Sequence, residues 1–352
     1  MQKTTTAIHD EKTRCAVLAR TQRRENNLAL SALLYAQMLI LSALSLLSVA
    51  STASYLSLLI ALAPAGVLYA LSSFCAKKHR NPPKLLAISF ALLFFSDMAL
   101  CLTALVKLVC AYVLPHHPHS LIALAAAILT GLMLQGRHPG GARRTAAYLA
   151  GFFLFALLVC LVIALPECDI GYVFPLFGYG GGQVLRGAAY MTGSLWSLGA
   201  LPFFTQGEAL PGLKKAHSFL MPLLAMLLLA LLLFFYACLL PSPLLPGAWG
   251  FVLRLQLIME MSPSILSWSL MLISRMLLFL TGFAVAGDMT GECLRRALPK
   301  IKAPMLLIIM LLSVPLSLLP LDTFSRYLPL RFILCLICVL IALVQRKKEA
   351  VA

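Results

Sequence analysis

Two ionisable residues stand by themselves inside long apolar runs: Asp97 in "FFSDMALC" and Arg275 in "LISRMLLF". At the centre of a membrane-spanning helix each costs about 2.5–3.5 kcal/mol on the insertion scale, so such residues face the protein interior and hold a partner or a ligand. An acid and a base placed this way form either a structural ion pair or a site for a charged or zwitterionic ligand. A second group is uncharged. "LILSALSLLSVAS" carries Ser42, Ser45 and Ser48, and "GAAYMTGSLWSLGALPFF" carries Gly193, Ser194, Trp196, Ser197 and Gly199. Glycine costs about 1 kcal/mol against alanine inside a helix. A serine hydroxyl returns a hydrogen bond to an interrupted backbone, and the interruption itself exposes N–H and C=O dipoles that bind small polar ligands. The competing reading is that small residues let helices pack closely. The candidate ligand-binding residues are therefore Ser42, Ser45, Asp97, Gly193, Ser194, Trp196, Gly199 and Arg275. Lys107 lies nearer a helix end, where its stem reaches the interface.

Other chemistry is less well supplied. "HHPH" at His116–His119 has no carboxylate beside it and two prolines breaking it, which describes a surface turn better than a metal cluster. Cys335 and Cys338 have the C-x-x-C spacing but lie in an apolar run with no second pair, which favours packing. "GYGGGQ" at residues 178–183 has Gln183 where a dinucleotide loop needs its third glycine, and no strand precedes it. The aspartates Asp97, Asp169, Asp288 and Asp322 are scattered rather than clustered for metal and diphosphate, and neither H-E-x-x-H nor G-x-S-x-G occurs. An enzyme is not expected, nor is a cofactor or a metal.

The elements that carry these residues must be membrane helices. Hydrophobic residues make up 61% of the chain and charged ones 11%, with a mean hydropathy of +0.94; soluble domains run at roughly 45–50% apolar and 25% charged. Apolar runs of about 20 residues recur along the chain, which is the length that spans a bilayer as a helix. Ten spans are expected, near 28–48, 53–74, 86–114, 119–135, 145–165, 184–205, 217–240, 263–286, 303–320 and 328–345. They form one transmembrane domain, 28–345, between a basic N-terminal segment, 1–27, and a tail, 346–352. The first span follows a long polar head with no A-x-A pattern and reads as an uncleaved anchor. The formal charge of +16 does not point to nucleic acid, because most of the 28 basic residues fall in alternate loops and at the two ends. By the positive-inside rule both termini are cytoplasmic, and the partner is the lipid bilayer. Ten spans divide as five plus five, with the two first spans entering from opposite sides, as an inverted-repeat transporter requires. The expected fold class is an all-α polytopic membrane protein of about ten spans in a five-plus-five inverted repeat.

Several stretches resemble the GerAB-type spore-germination permease family, the B subunits of nutrient-germinant receptors within the amino acid–polyamine–organocation superfamily. They are "LPHHP" at 114–118, "LQGRHPGGARRTAAYLAGFF" before and into span five, "PECDIGYVFPLFGYGGGQVLRGA" leading into span six, and "IMEMSPSILSWSLMLISRMLLF" with Trp268 and Arg275. The resemblance covers most of residues 28–345. Span one departs from the family pattern, reading "SALSLLSVAST" where a glycine-containing unwound stretch and a proline are usual. The resemblance implies a LeuT-type five-plus-five fold and recognition of an amino acid or similar nutrient. It also implies germinant receptor A and C subunits as partners and a location in the bacterial cell membrane or spore inner membrane. A stand-alone amino acid permease driven by an ion gradient is the alternative, and a ligand-free structural membrane protein a third.

The expected topology is testable through Cys168, placed on the outside between spans five and six. An impermeant maleimide should label Cys168 in intact cells and should leave a cysteine introduced beside Lys78 unlabelled. The reverse pattern would invert the orientation.

Overall fold

In the computed structural model the described residues are 84–135, 169–173, 180–195, 265–298 and 305–319, with short stretches between 56 and 67 and single positions within 142–165, 227–238 and 333–340. Every regular element among them is helical. In chain order the continuous helices are α1 (Lys84–Tyr112), α2 (His119–Gln135), α3 (Gly181–Leu195), α4 (Ile265–Ala297) and α5 (Met305–Ser317), with a short 3-10 turn at Ile170–Val173 before α3.

Proline and glycine punctuate these helices. Proline fits the first turn of a helix because its missing N–H has no intrahelical partner there, and it disfavours helical geometry in the residue before it. Accordingly α1 follows Pro82 and Pro83 in sequence and stops at Tyr112, three residues before Pro115. The Pro118 carbonyl accepts from the Leu121 and Ile122 amides as α2 begins. α4 closes at Ala297, two residues short of Pro299, and α5 opens directly after Pro304. α3 starts after Gly180, whose φ of 116° is a left-handed value that only glycine takes without strain. Inside α5, Pro315 removes one backbone donor, and Ser313 and Ser317 turn their hydroxyls onto the Met310 and Val314 carbonyls of the same helix.

α1 and α4 have 29 and 33 residues, about 44 and 50 Å at the helical rise. Each is long and apolar enough to cross a membrane, over Lys84–Cys110 and Leu272–Ala297 respectively. They form the principal helix–helix interface, and α5 packs on both α1 and α2. Burial surrounds α1 on all sides through its second half: residues 97–106 are all buried. Such a helix belongs in the middle of a bundle. α2 and α5 keep one face outward, with Leu121, Leu129, Leu132 and Met133 exposed on α2 and Ile308 and Leu312 on α5. These apolar faces suit lipid.

Span eight was expected over 263–286, but α4 continues to Ala297. The sequence turns polar after Ala286, with Gly287, Asp288, Thr290, Gly291 and Glu292, yet the buried stripe Phe283, Ala286, Thr290, Cys293 and Ala297 keeps helical spacing throughout. The helix ends in charge pairs: Arg296 Nε donates to Glu292 Oε1 at 3.1 Å, and Arg295 lies 3.9 Å from the same carboxylate.

Two glycines let backbones approach. A Cβ at Gly131 of α2 would stand 2.8 Å from Leu307 Cδ1 and 3.4 Å from Leu307 Cα of α5, while one at Gly287 of α4 would overlap the terminal methyl of Met310. The obstacle at Gly131 includes backbone, whereas that at Gly287 is the end of a flexible side chain. Gly131→Val should therefore cost about 1–3 kcal/mol through overpacking, and Gly287→Ala clearly less. Thermal unfolding of the purified protein in detergent measures both, and equal losses would contradict these contacts.

Candidate functional site

The height at which charged residues sit is set by one three-way contact. The Cβ position of Gly287 on α4 is 3.5 Å from Met98 Sδ of α1 and 3.1 Å from Met310 Sδ of α5. Met98 and Met310 are fully buried. Asp97 is one residue from Met98, and Asp288 one residue from Gly287, so the two aspartates stand at nearly the same height and flank the contact. Asp97 is 0% exposed and Asp288 4%. Asp97 is also the middle residue of the apolar window Lys84–Cys110. Two buried carboxylates thus share a level near the centre of the bundle, where each is expensive to insert.

In the sequence the aspartates looked scattered; the packing of α4 on α1 corrects this for Asp97 and Asp288. Asp288 escaped because span eight was expected to end at 286. The signal that would have found it is the buried stripe of α4, which runs on past that point.

Arg275 lies elsewhere. It is half-buried on α4, twelve residues from Gly287, which is about 18 Å along an unbroken helix. An arginine side chain does not bridge that height to Asp97. Nor do the two clamp the ammonium and carboxylate of one amino acid, since those groups are bonded to the same carbon. Lys107 is nine residues beyond Met98, about 14 Å along α1. Its ammonium nitrogen is buried in protein, where a reach to the interface was expected. The residue as a whole is half-buried, with the ammonium end turned inward among its buried neighbours on α1.

The hydroxyls in this region are occupied by backbone. Thr281, Thr290 and Thr192 donate to the carbonyls of Leu277, Ala286 and Ala188, four residues earlier in their own helices. Thr103 Oγ1 is 2.8 Å from the Ala99 carbonyl and 3.2 Å from that of Ser317, which ties α1 to α5. Met98 near Met310 and Thr103 near Ser317 show that α1 and α5 run parallel.

Of the other candidates, Gly193 and Ser194 fall in the last described turn of α3. Ser42, Ser45, Trp196 and Gly199 lie outside the described residues, as do Cys335 and most of the stretch in which span six was expected to be interrupted. His116, His117 and His119 are exposed around the α1–α2 turn. No group of three or more histidine, cysteine or acidic side chains suited to a metal occurs among the described residues.

The chain is an all-α integral membrane protein with a transporter fold of the LeuT type. This rests on likeness to solved structures of a manganese transporter from Eremococcus coleocola. A histidine-to-alanine variant of that protein superposes with a TM-score of 0.54 at 15% identity, over 91% of this chain and 76% of that one. Its complex with an aromatic bis-isothiourea substituted compound gives 0.54 at 16% identity with the same coverage. A glutamate-to-glutamine variant gives 0.53 at 16%. No protein-family model matches the chain, and no curated protein matches it in sequence.

The heights of the charges yield a prediction. Sites more than about 7–10 Å apart add within about 0.5 kcal/mol, whereas interacting sites couple by 0.5–3 kcal/mol. Asp97→Asn and Arg275→Gln should be additive in unfolding free energy, while Asp97→Asn and Asp288→Asn should show coupling. A thermal-unfolding double-mutant cycle distinguishes them, and strong coupling of Asp97 to Arg275 would overturn the register.

Proposed function

We propose that this chain recognises a small solute carrying positive charge, at mid-membrane, within its transporter fold. The observation that carries the reading is the shared level of Asp97 and Asp288: buried carboxylates inside a membrane bundle favour a cationic group, whether an ammonium or a metal ion. The uncharged side of the solute would be met by Ser42, Ser45, Gly193, Ser194, Trp196 and Gly199, from spans one and six, with Arg275 nearer the mouth. On the resemblance to GerAB-type permeases, the solute is an amino acid or similar nutrient. The chain then acts as the membrane subunit of a germinant receptor beside A and C subunits in the spore inner membrane, with both termini cytoplasmic.

A second reading is a stand-alone ion-coupled permease. What favours it is that the solved structures sharing the fold are those of a transporter, whose cargo, manganese, is itself a cation. Both readings begin with the same binding step; a permease then carries the solute across, whereas a receptor passes a signal to its partner subunits.

Purified protein in proteoliposomes tests both. Binding of L-alanine, a panel of other amino acids and manganese(II) is monitored by thermal shift, and uptake by radiolabel. A ligand should raise the unfolding temperature, and Asp97→Asn should weaken its binding by about tenfold or more, the scale of one lost charged contact. Uptake by the chain alone selects the permease; binding without uptake, with a response only when A and C subunits are present, selects the receptor. Binding unaffected by both Asp97→Asn and Asp288→Asn would reject the acidic level as the recognition element.

A further inference from the structure

The second span meets α3 at one close contact. Ser57 is 4% exposed, and its Oγ donates to the Val184 carbonyl at 2.9 Å. A Cβ at Gly187 would stand 2.5 Å from Ser57 Oγ and 3.0 Å from Ser57 Cβ, closer than side-chain atoms pack. The surroundings are small and buried: Ala61, one turn after Ser57, and Val184, Ala188 and Thr192 on α3. Close backbone approach through small residues, joined by a serine hydroxyl, is how membrane helices hold one another without a hydrophobic driving force.

The start of α3 is different. Cβ positions at Gly180, Gly181 and Gly182 meet nothing within 4 Å, and Gly180 takes a left-handed φ. The helix is therefore open at its first residues and gripped from Val184 to Gly187. Gly193 and Ser194 lie six and seven residues further on, about 9–11 Å along the axis.

We propose that Ser57 and Gly187 are positioning residues: their contact sets the height and rotation of α3, and so the place of Gly193 and Ser194 in its last turn. The consequence for solute binding rests on the function proposed above, but the positioning itself does not. Gly187 supplies the space, and the Ser57 hydroxyl supplies direction by choosing one carbonyl of α3. An added methyl on either helix displaces α3 unless the other helix gives up the same volume.

The test exchanges that volume. In the full chain carrying Ser194→Cys, alkylation at this site is timed by peptide mass spectrometry in proteoliposomes. Gly187→Ala should change the rate by about fivefold or more, and Gly187→Ala with Ser57→Gly should bring it back toward the parent by about twofold or more, short of full recovery because the hydroxyl is lost, the size of coupling expected for residues in contact. An unchanged rate in Gly187→Ala, or a double variant no closer to the parent than the single, overturns the proposal. Should Gly187→Ala fail to reach the membrane, Ser57→Ala removes the hydrogen bond without adding bulk, and an unchanged rate there overturns it equally. L-alanine and manganese(II) binding are measured in the same Ser57 and Gly187 variants with Ser194 kept: binding that stays intact while the rate shifts supports the positioning role and rejects only the solute role of Gly193 and Ser194.

Discussion

A charged side chain or unpaired peptide group inside a bilayer has no water to turn to, so protein must enclose it. Among the described residues the enclosure is made by α4 against α1, with α5 packed on both. The Met98–Gly287–Met310 contact is the point where the three meet. Glycine at that point admits two thioether side chains, and methionine's flexible, polarisable end fills an irregular gap well. Asp97 and Asp288 are buried at the level of this contact, each the immediate chain neighbour of a residue in it.

The same enclosure explains why hydroxyls are plentiful in the buried set without being obvious ligand donors. Thr192, Thr281 and Thr290 return their protons to the preceding turn of their own helices. In an apolar bundle this is the nearest acceptor, and it lets a polar residue occupy a buried position at small cost. Ser57 and Thr103 differ: the Ser57 hydroxyl donates to the Val184 carbonyl of α3, and that of Thr103 also reaches the Ser317 carbonyl on α5. The Ser317 carbonyl belongs to the last turn of α5, whose carbonyls have no intrahelical donor.

Much of the helical layout is legible from hydropathy because spanning length is a property of local sequence: a run such as 84–112 needs no knowledge of its neighbours. Proline positions are local too, and they mark where α1, α2, α4 and α5 begin or stop. The end of α4 is harder to read. Gly287, Asp288 and Glu292 look like the edge of a span, and only the packing of α1 and α5 against the buried stripe from Phe283 to Ala297 carries the helix onward. Relative height is harder still. One acid and one base, each isolated in its own helix, invite pairing, yet nothing within either run encodes the register between them. Asp97 and Arg275 thus look like partners in sequence and stand about 18 Å apart along the bundle, whereas Asp97 and Asp288 look unrelated and share a level.

Taken with the alternation of spans three and eight, that register separates charge along the bundle. Lys107 and Arg275 stand toward the end where α1 finishes and α4 begins, which is the expected outer end; Asp97 and Asp288 stand at the middle, and Glu292 with Arg295 and Arg296 at the other end. Attraction in a low-dielectric interior is strong at short range and weak beyond it, so Lys107 and Arg275, about 14 and 18 Å further along the bundle, do little for the middle level. Among the described residues the middle level holds two buried carboxylates, and burying each has a cost in stability that an apolar residue there would not incur. On the function proposed above, that cost is offset when a cationic group is drawn to the same level.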